Sequence, residues 1–189
     1  MNEADARARR SRDSLLDAGL TMLARNPAAS MTDVANLAGV GRATLYRHFP
    51  SRTALVRELA RECLRRTDAD LAPVADAGLR GRRALEAVIQ LIMPLARQFH
   101  FLLSLWSYAE DDEDIRAIYD RQLTQLVTLV EEAKAEGSID AAVPAAWVVS
   151  SLDAQVAAAW WMVGNGLFTD SEAAEAVIRS LFDGIGPRA

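Results

Sequence analysis

Five of the seven side chains in Arg42-Ala43-Thr44-Leu45-Tyr46-Arg47-His48 end in hydrogen-bond donors. On a helix, at about 100° per residue, Leu45 and Phe49 point the same way and Ala43 and Arg47 face directly away. Arg42 and Tyr46 flank that outer face on one side, Thr44 and His48 on the other. Such a face suits recognition of a polyanion with readable edges better than it suits bond-breaking. An arginine at 42 matches the two acceptors of a guanine, and the Ala43 methyl matches a thymine methyl. Thr44, Tyr46 and His48 suit phosphate oxygens, which fix register rather than sequence.

The residues before this segment supply a way to hold it. Ser30 is placed to cap a helix, and Asp33, three residues on, completes a capping box. Val34, Ala35, Leu37 and Ala38 form a narrow apolar face. Gly39 stops the helix where a left-handed backbone angle is required. Val40 plugs the corner, and a second helix starts near Gly41 or Arg42. Two short helices joined this way form a helix-turn-helix, which makes double-stranded DNA the expected partner. Ser30, Thr32, Arg42, Ala43, Thr44, Tyr46, Arg47, His48 and Arg52 are its candidate DNA contacts. Because helical hairpins with a glycine corner occur in many all-helical proteins, spacing alone leaves a protein-interaction module without DNA binding as the alternative.

The order of residues narrows the choice. Ala38-Gly39-Val40, then Thr44-Leu45-Tyr46-Arg47-His48-Phe49-Pro50-Ser51-Arg52, then Ala54-Leu55, closely resembles the TetR family of bacterial transcriptional regulators. The helix expected over residues 12–25 fits as well, so the resemblance covers the first third of the chain. Two positions depart from the family pattern. Gly41 stands where a serine is common, and Arg52 replaces the usual lysine while still offering a cation to phosphate. The resemblance implies a homodimer on a pseudo-palindromic operator, repression as the default, and release by a small-molecule effector bound in the C-terminal half.

Charge follows the same division. The 189-residue chain carries a net −5, yet residues 1–66 hold twelve arginines against seven acids, a net +5, and residues 67–189 a net −10. Positive potential on the helix-turn-helix half is what phosphate contact demands, and an acidic remainder helps orient the encounter.

The rest of the sequence reads as helices only. The first runs over residues 12–25 and stops at Asn26-Pro27. Ser51 caps the fourth, whose stripe of Leu55, Leu59 and Leu64 continues to about Asp70, and Pro73 and Gly78 mark a break. An apolar helix from Leu79 or Gly81 either kinks or ends at Pro94. Helix continues, whole or broken, over residues 95–108, followed by a long amphipathic helix over 111–136 and two more over 144–163 and 171–183. The expected fold is all-α with about nine helices: a three-helix DNA-binding unit at residues 1–66, with its linking fourth helix, and a C-terminal effector-binding and dimerisation bundle at 67–189.

Outside the helix-turn-helix the candidates are fewer. Met93, Phe99, His100, Phe101, Trp106, Tyr119 and Trp147 are the expected pocket lining. No charged group falls among them, so a largely apolar or aromatic effector is expected. Residues 144–163, with Trp147, Trp160 and Trp161 among alanines, form a helix apolar nearly all round. By the family resemblance, this helix and residues 171–183 pair with their mates in the dimer. The run Glu110-Asp111-Asp112-Glu113-Asp114 sits at a helix start, where the dipole favours carboxylates, so no metal is expected there. No nucleophile-base set and no cofactor motif point to an enzyme. Cys63, the sole cysteine, falls beside Leu59 as a core thiol. The longest wholly apolar run, residues 156–163, is far below the ~20 residues of a spanning helix, and a cytoplasmic protein is expected.

Overall fold

The computed structural model describes residues 3–95, 107 and 111–184. Within them are eight α-helices: α1 (Glu3–Arg25), α2 (Met31–Leu37), α3 (Arg42–His48), α4 (Arg52–Asp76), α5 (Gly81–Ile92), α6 (Glu113–Ala135), α7 (Ala145–Gly164) and α8 (Asp170–Phe182). No strand occurs among the described residues. The helix expected over residues 95–108 lies, apart from Leu95 and Ser107, outside the described residues.

Two boundaries differ from the sequence expectation. α1 begins at Glu3 rather than near residue 12, because its first turns are rich in alanine and arginine, both strong helix formers. α4 does not break at Pro73 but contains it. A proline forfeits only its own backbone bond and crowds only the preceding turn. Placed in the last turn, Pro73 still accepts from Ala77 N at 3.0 Å. α5, by contrast, ends just before Pro94, where Leu95 N closes a tight turn on Ile92 O at 2.9 Å.

The chain divides into two compact units. The first holds residues through Arg65 and the later segment ending at Ile118. Its core joins Leu15, Leu16, Leu20 and Leu23 of α1 to Val34 and Ala35 of α2, Leu45 of α3, Phe49, and Leu55, Leu59 and Cys63 of α4. Ile115, at the start of α6, is fully buried among them. The second unit takes residues from Arg66 and from Tyr119 onward. There Leu85 of α5, Val130 and Ala133 of α6 and Val148 and Val149 of α7 share a core, and α8 packs against both α5 and α7. No helix among the described residues is long and apolar enough to cross a membrane.

Candidate nucleic-acid interface

The start of α2 is fixed by a complete capping box. Ser30 Oγ accepts from Asp33 N at 3.2 Å, and Asp33 Oδ2 accepts from Ser30 N at 2.8 Å. Ser30 Oγ also donates to Asp33 Oδ2 at 2.7 Å, and this bond first, with the one from the Ser30 backbone next, holds the Asp33 carboxyl below the usual carboxylate range. At the other end, Val40 N reaches back to Ala35 O at 3.0 Å and Gly39 N to Asn36 O at 3.1 Å. This is a Schellman closure, and it needs a left-handed residue at its centre. Gly39, at φ 67°, supplies it. Val40 is partly buried against the core, as expected of a corner plug.

Past the corner, α3 is anchored from below and open above. Leu45 is fully buried and Phe49 nearly so. Arg42, Ala43, Tyr46 and Arg47 are exposed, and Thr44 is half-buried. Tyr46 keeps 43% of its surface accessible, although a phenol ring loses apolar hydration by burial. A short helix with one seam buried and cationic and hydroxyl groups on the opposite face can enter a major groove. Ser30 is exposed and Thr32 half-buried at the N-terminal end of α2, where free backbone amides favour phosphate.

Two candidates are placed otherwise than expected. His48 Nε2 is buried and, among the described residues, has no hydrogen-bond partner. Burial first, and the nearby charges of Arg47 and Arg12 next, push its pKa below the ordinary histidine value. Arg52 donates through Nη1 to Ala29 O and through Nη2 to Pro27 O. Its planar fork straps the loop between α1 and α2, a geometry open to arginine and closed to lysine.

A brace beneath the interface was not legible in the sequence. Arg12 of α1 donates to Glu58 of α4, and its guanidinium lies 5.8 Å from the centre of the Phe49 ring. Arg61 Nη1 donates to Glu58 Oε1 at 2.6 Å, and its Nη2 donates to Asp112 Oδ2 at 2.5 Å. Asp112 Oδ1 in turn accepts from Ile115 N at 3.2 Å and so caps α6. A carboxylate of the acidic run thus serves as helix cap and ion-pair partner together. The only local hint is the three-residue spacing of Glu58 and Arg61.

In the second unit three of the candidate pocket residues are described, and they differ in burial. Met93 is buried, and Tyr119 is 36% exposed on α6. Burial, then the charges of Asp153 and Asp120, raise the Tyr119 phenol above its usual pKa. Burial likewise raises the Asp153 carboxyl on α7. Trp147, expected to line a cavity, stands 68% exposed instead, with no element covering it among the described residues of the unit. Phe99, His100, Phe101 and Trp106 lie outside the described residues.

Trp147 belongs to a longer open stripe. Ser150, Ala154, Ala158 and Trp161 are exposed on the same face of α7, and Trp161 is 56% exposed. Val148, Val149, Leu152, Val156 and Ala159 are buried on the other. The start of α5 carries a feature missed in the sequence. Arg80 makes no side-chain cap there. Glu132 Oε2 accepts from Gly81 N at 3.2 Å, and Glu136 Oε1 accepts from Arg82 N at 2.7 Å. Two carboxylates four residues apart, one in the last turn of α6 and one just past its end, therefore cap a helix some fifty residues earlier in the chain.

Comparison with known proteins bears on this geometry. The family model for bacterial regulatory proteins, tetR family, matches residues 15–59. The HTH-type transcriptional repressor LfrR of Mycolicibacterium smegmatis is 34% identical over 141 residues, 71% of this chain and 70% of that protein. The crystal structure of the TetR-like transcriptional regulator LfrR from Mycobacterium smegmatis in complex with proflavine has a TM-score of 0.78 at 27% identity, covering 95% of this chain and 98% of that one. The transcriptional regulator FadR from Bacillus subtilis, solved in complex with stearoyl-CoA, has a TM-score of 0.71 at 18% identity, over 93% of this chain and all of that one. The last match is a likeness of fold.

Proposed function

The chain belongs to the TetR family of bacterial transcriptional regulators, and from that premise we propose a repressor that binds a pseudo-palindromic operator as a homodimer. One observation carries the reading: α3 is pinned by Leu45 and Phe49 while Arg42, Ala43, Tyr46 and Arg47 stand free on its outer side. Arg42 reads a guanine edge, Ala43 meets a thymine methyl, and Tyr46 and Arg47 hold phosphates, with Ser30, Thr32 and Thr44 at the margin.

A single recognition helix covers too few base pairs to select one site in a genome. A two-fold dimer presents two such helices, spaced by about 34 Å or a related helical repeat. We assign pairing to α7 and α8; the tryptophan-ended stripe of α7 is exposed among the described residues of its unit. Work on chromosomal DNA places the protein in the bacterial cytoplasm. We assign it no catalytic role.

Release follows from linkage. A ligand that favours the DNA-free form lowers operator affinity by the factor that DNA lowers its own. We propose a small, largely apolar or aromatic effector held in the second unit, with Met93 and Tyr119 in its lining. The relative solved with proflavine supports an aromatic ligand, and proflavine is the first compound to try.

The test begins with duplexes selected from a random pool, which yield the operator and its symmetry. On that operator, Tyr46→Ala weakens binding across all sequences. Arg42→Ala instead relaxes preference at one base position, by about 1–3 kcal/mol. Wild-type affinity in both variants overturns the assigned face.

A further inference from the structure

One face of α6 is buried near its C-terminal end and open two to three turns earlier. Val130 and Ala133 meet Val148 and Val149 of α7 in the core of the second unit. Tyr119 and Leu123 point within about 20° of Val130 around the helix axis, yet they are 36% and 37% exposed. The seam between α6 and α7 closes at Val130 and parts toward Tyr119, which leaves an aromatic and an aliphatic side chain on an open wall.

α7 places a charge beside that opening. Asp153 is the only charged residue between Ala145 and Gly164. It stands one turn past Val149, about 6 Å further along the axis, and about a quarter turn from the stripe that joins Trp147 to Trp161. Local structure gives it no reason to be there. It lies mid-helix, beyond the reach of the helix dipole, and the residues three and four away, Val149, Ser150, Val156 and Ala157, carry no cation. Among the described residues Asp153 has no ion-pair partner. Burial raises its carboxyl although the residue is exposed, and its charge is felt at the Tyr119 phenol. Reached by solvent but flanked by protein, it has the setting of a cleft wall.

We propose that the cleft between α6 and α7 takes an aromatic organic cation, with the Asp153 carboxylate as its counter-charge and the Tyr119 ring against its face. The proposal rests on the effector site assigned above to the second unit and adds a charge to the ligand. A cation over a phenol ring is attracted by the ring quadrupole, and a positive charge beside a partly desolvated carboxylate favours its ionised form. A neutral aromatic of the same shape meets the ring alone. An anion is repelled by Asp153 and by Asp120, whose charge also reaches Tyr119.

The experiment uses the full chain and two probes of nearly one shape: N-methylacridinium, a permanent cation, and acridine, which is neutral in mildly alkaline buffer. Fluorescence titration yields both dissociation constants. The wild type should hold the cation about tenfold more tightly than acridine, and Asp153→Asn should bring that ratio to about one. Tyr119→Leu should weaken the cation about fivefold, and Tyr119→Phe should restore it. Asparagine keeps the shape of the side chain and removes a charge that burial disfavours, so the melting temperature should not fall. Equal affinity of the wild type for both probes, or a preference retained by Asp153→Asn, overturns the cation assignment and leaves an aromatic effector site standing. Binding of neither probe overturns the aromatic effector site as well.

Discussion

Two hairpins in this chain close their first helix identically and open their second differently. α2 ends with Val40 N on Ala35 O and Gly39 N on Asn36 O. α7 ends with Leu167 N on Met162 O at 2.9 Å and Gly166 N on Val163 O at 3.0 Å. The two glycines have φ of 67° and 70°. Beyond the turn, α8 begins with a capping box between Thr169 and Glu172, whereas α3 begins at Gly41 with no side-chain cap. Their open faces also differ, with Arg42, Tyr46 and Arg47 on α3 and Trp147, Trp161 and Leu167 on and after α7. The same backbone punctuation therefore serves both units. On the function proposed above, partner choice resides in the exposed side chains: cations and hydroxyls for phosphate, tryptophan and small residues for a second copy.

The widest consequence concerns the tryptophans. Trp147 and Trp161 stand about 21 Å apart along α7, with Ser150, Ala154 and Ala158 between them. Small residues between two large ones let a partner helix approach while each ring finds a pocket. Interface tryptophans typically contribute ≥ about 2 kcal/mol when truncated. Trp147→Ala and Trp161→Ala should each raise the dimer dissociation constant about thirtyfold, measured by sedimentation equilibrium, with helical content preserved. Dimers of wild-type affinity in both variants would erase the contrast between the hairpins.

Next in size are the two turn glycines. An added Cβ meets nothing within 4 Å at Gly39 or at Gly166, so alanine there brings no clash, only the strain of a left-handed backbone. That strain is about 1–2 kcal/mol for an L-residue. Gly39→Ala and Gly166→Ala should therefore lower stability in urea by similar amounts. Only the former should also weaken operator binding in proportion. A cost confined to one of them would show that the matching hydrogen bonds conceal different strain.

What could be read in advance follows from range along the chain. The Ser30–Asp33 box, the Gly39 corner and the inward pair Leu45 and Phe49 depend on residues three to five apart, so the residue order contains them. Ile115 entering the first core does not, nor does Asp112 meeting Arg61 some fifty residues away. The capping of α5 by Glu132 and Glu136 is equally distant. Within the interface itself, Arg52 and His48 were legible as a cation and a ring but not as a loop strap and a half-buried ring whose Nε2 is shut off from solvent. Those roles come from carbonyls at Pro27 and Ala29 and from the packing over His48, which no local pattern encodes. Pro73 illustrates the converse, a local breaker overridden near a helix end.

The smallest effect tests the missing cap. Gly41 has φ −70° and ψ 149°, ordinary for an N-cap, and an added Cβ there meets nothing within 4 Å. A serine at this position can accept from Thr44 N without rearrangement. Replacing glycine by serine at an N-cap gains only a few tenths of a kcal/mol, so Gly41→Ser should raise the melting temperature slightly and shift operator affinity little. Thr44 occupies the position that Glu172 holds in the α8 box. Completing the box on α3 would set a carboxylate on the face that meets phosphate, where like charges repel. On the proposed function the bare start of α3 suits its partner, and a large gain in stability from Gly41→Ser would count against that explanation.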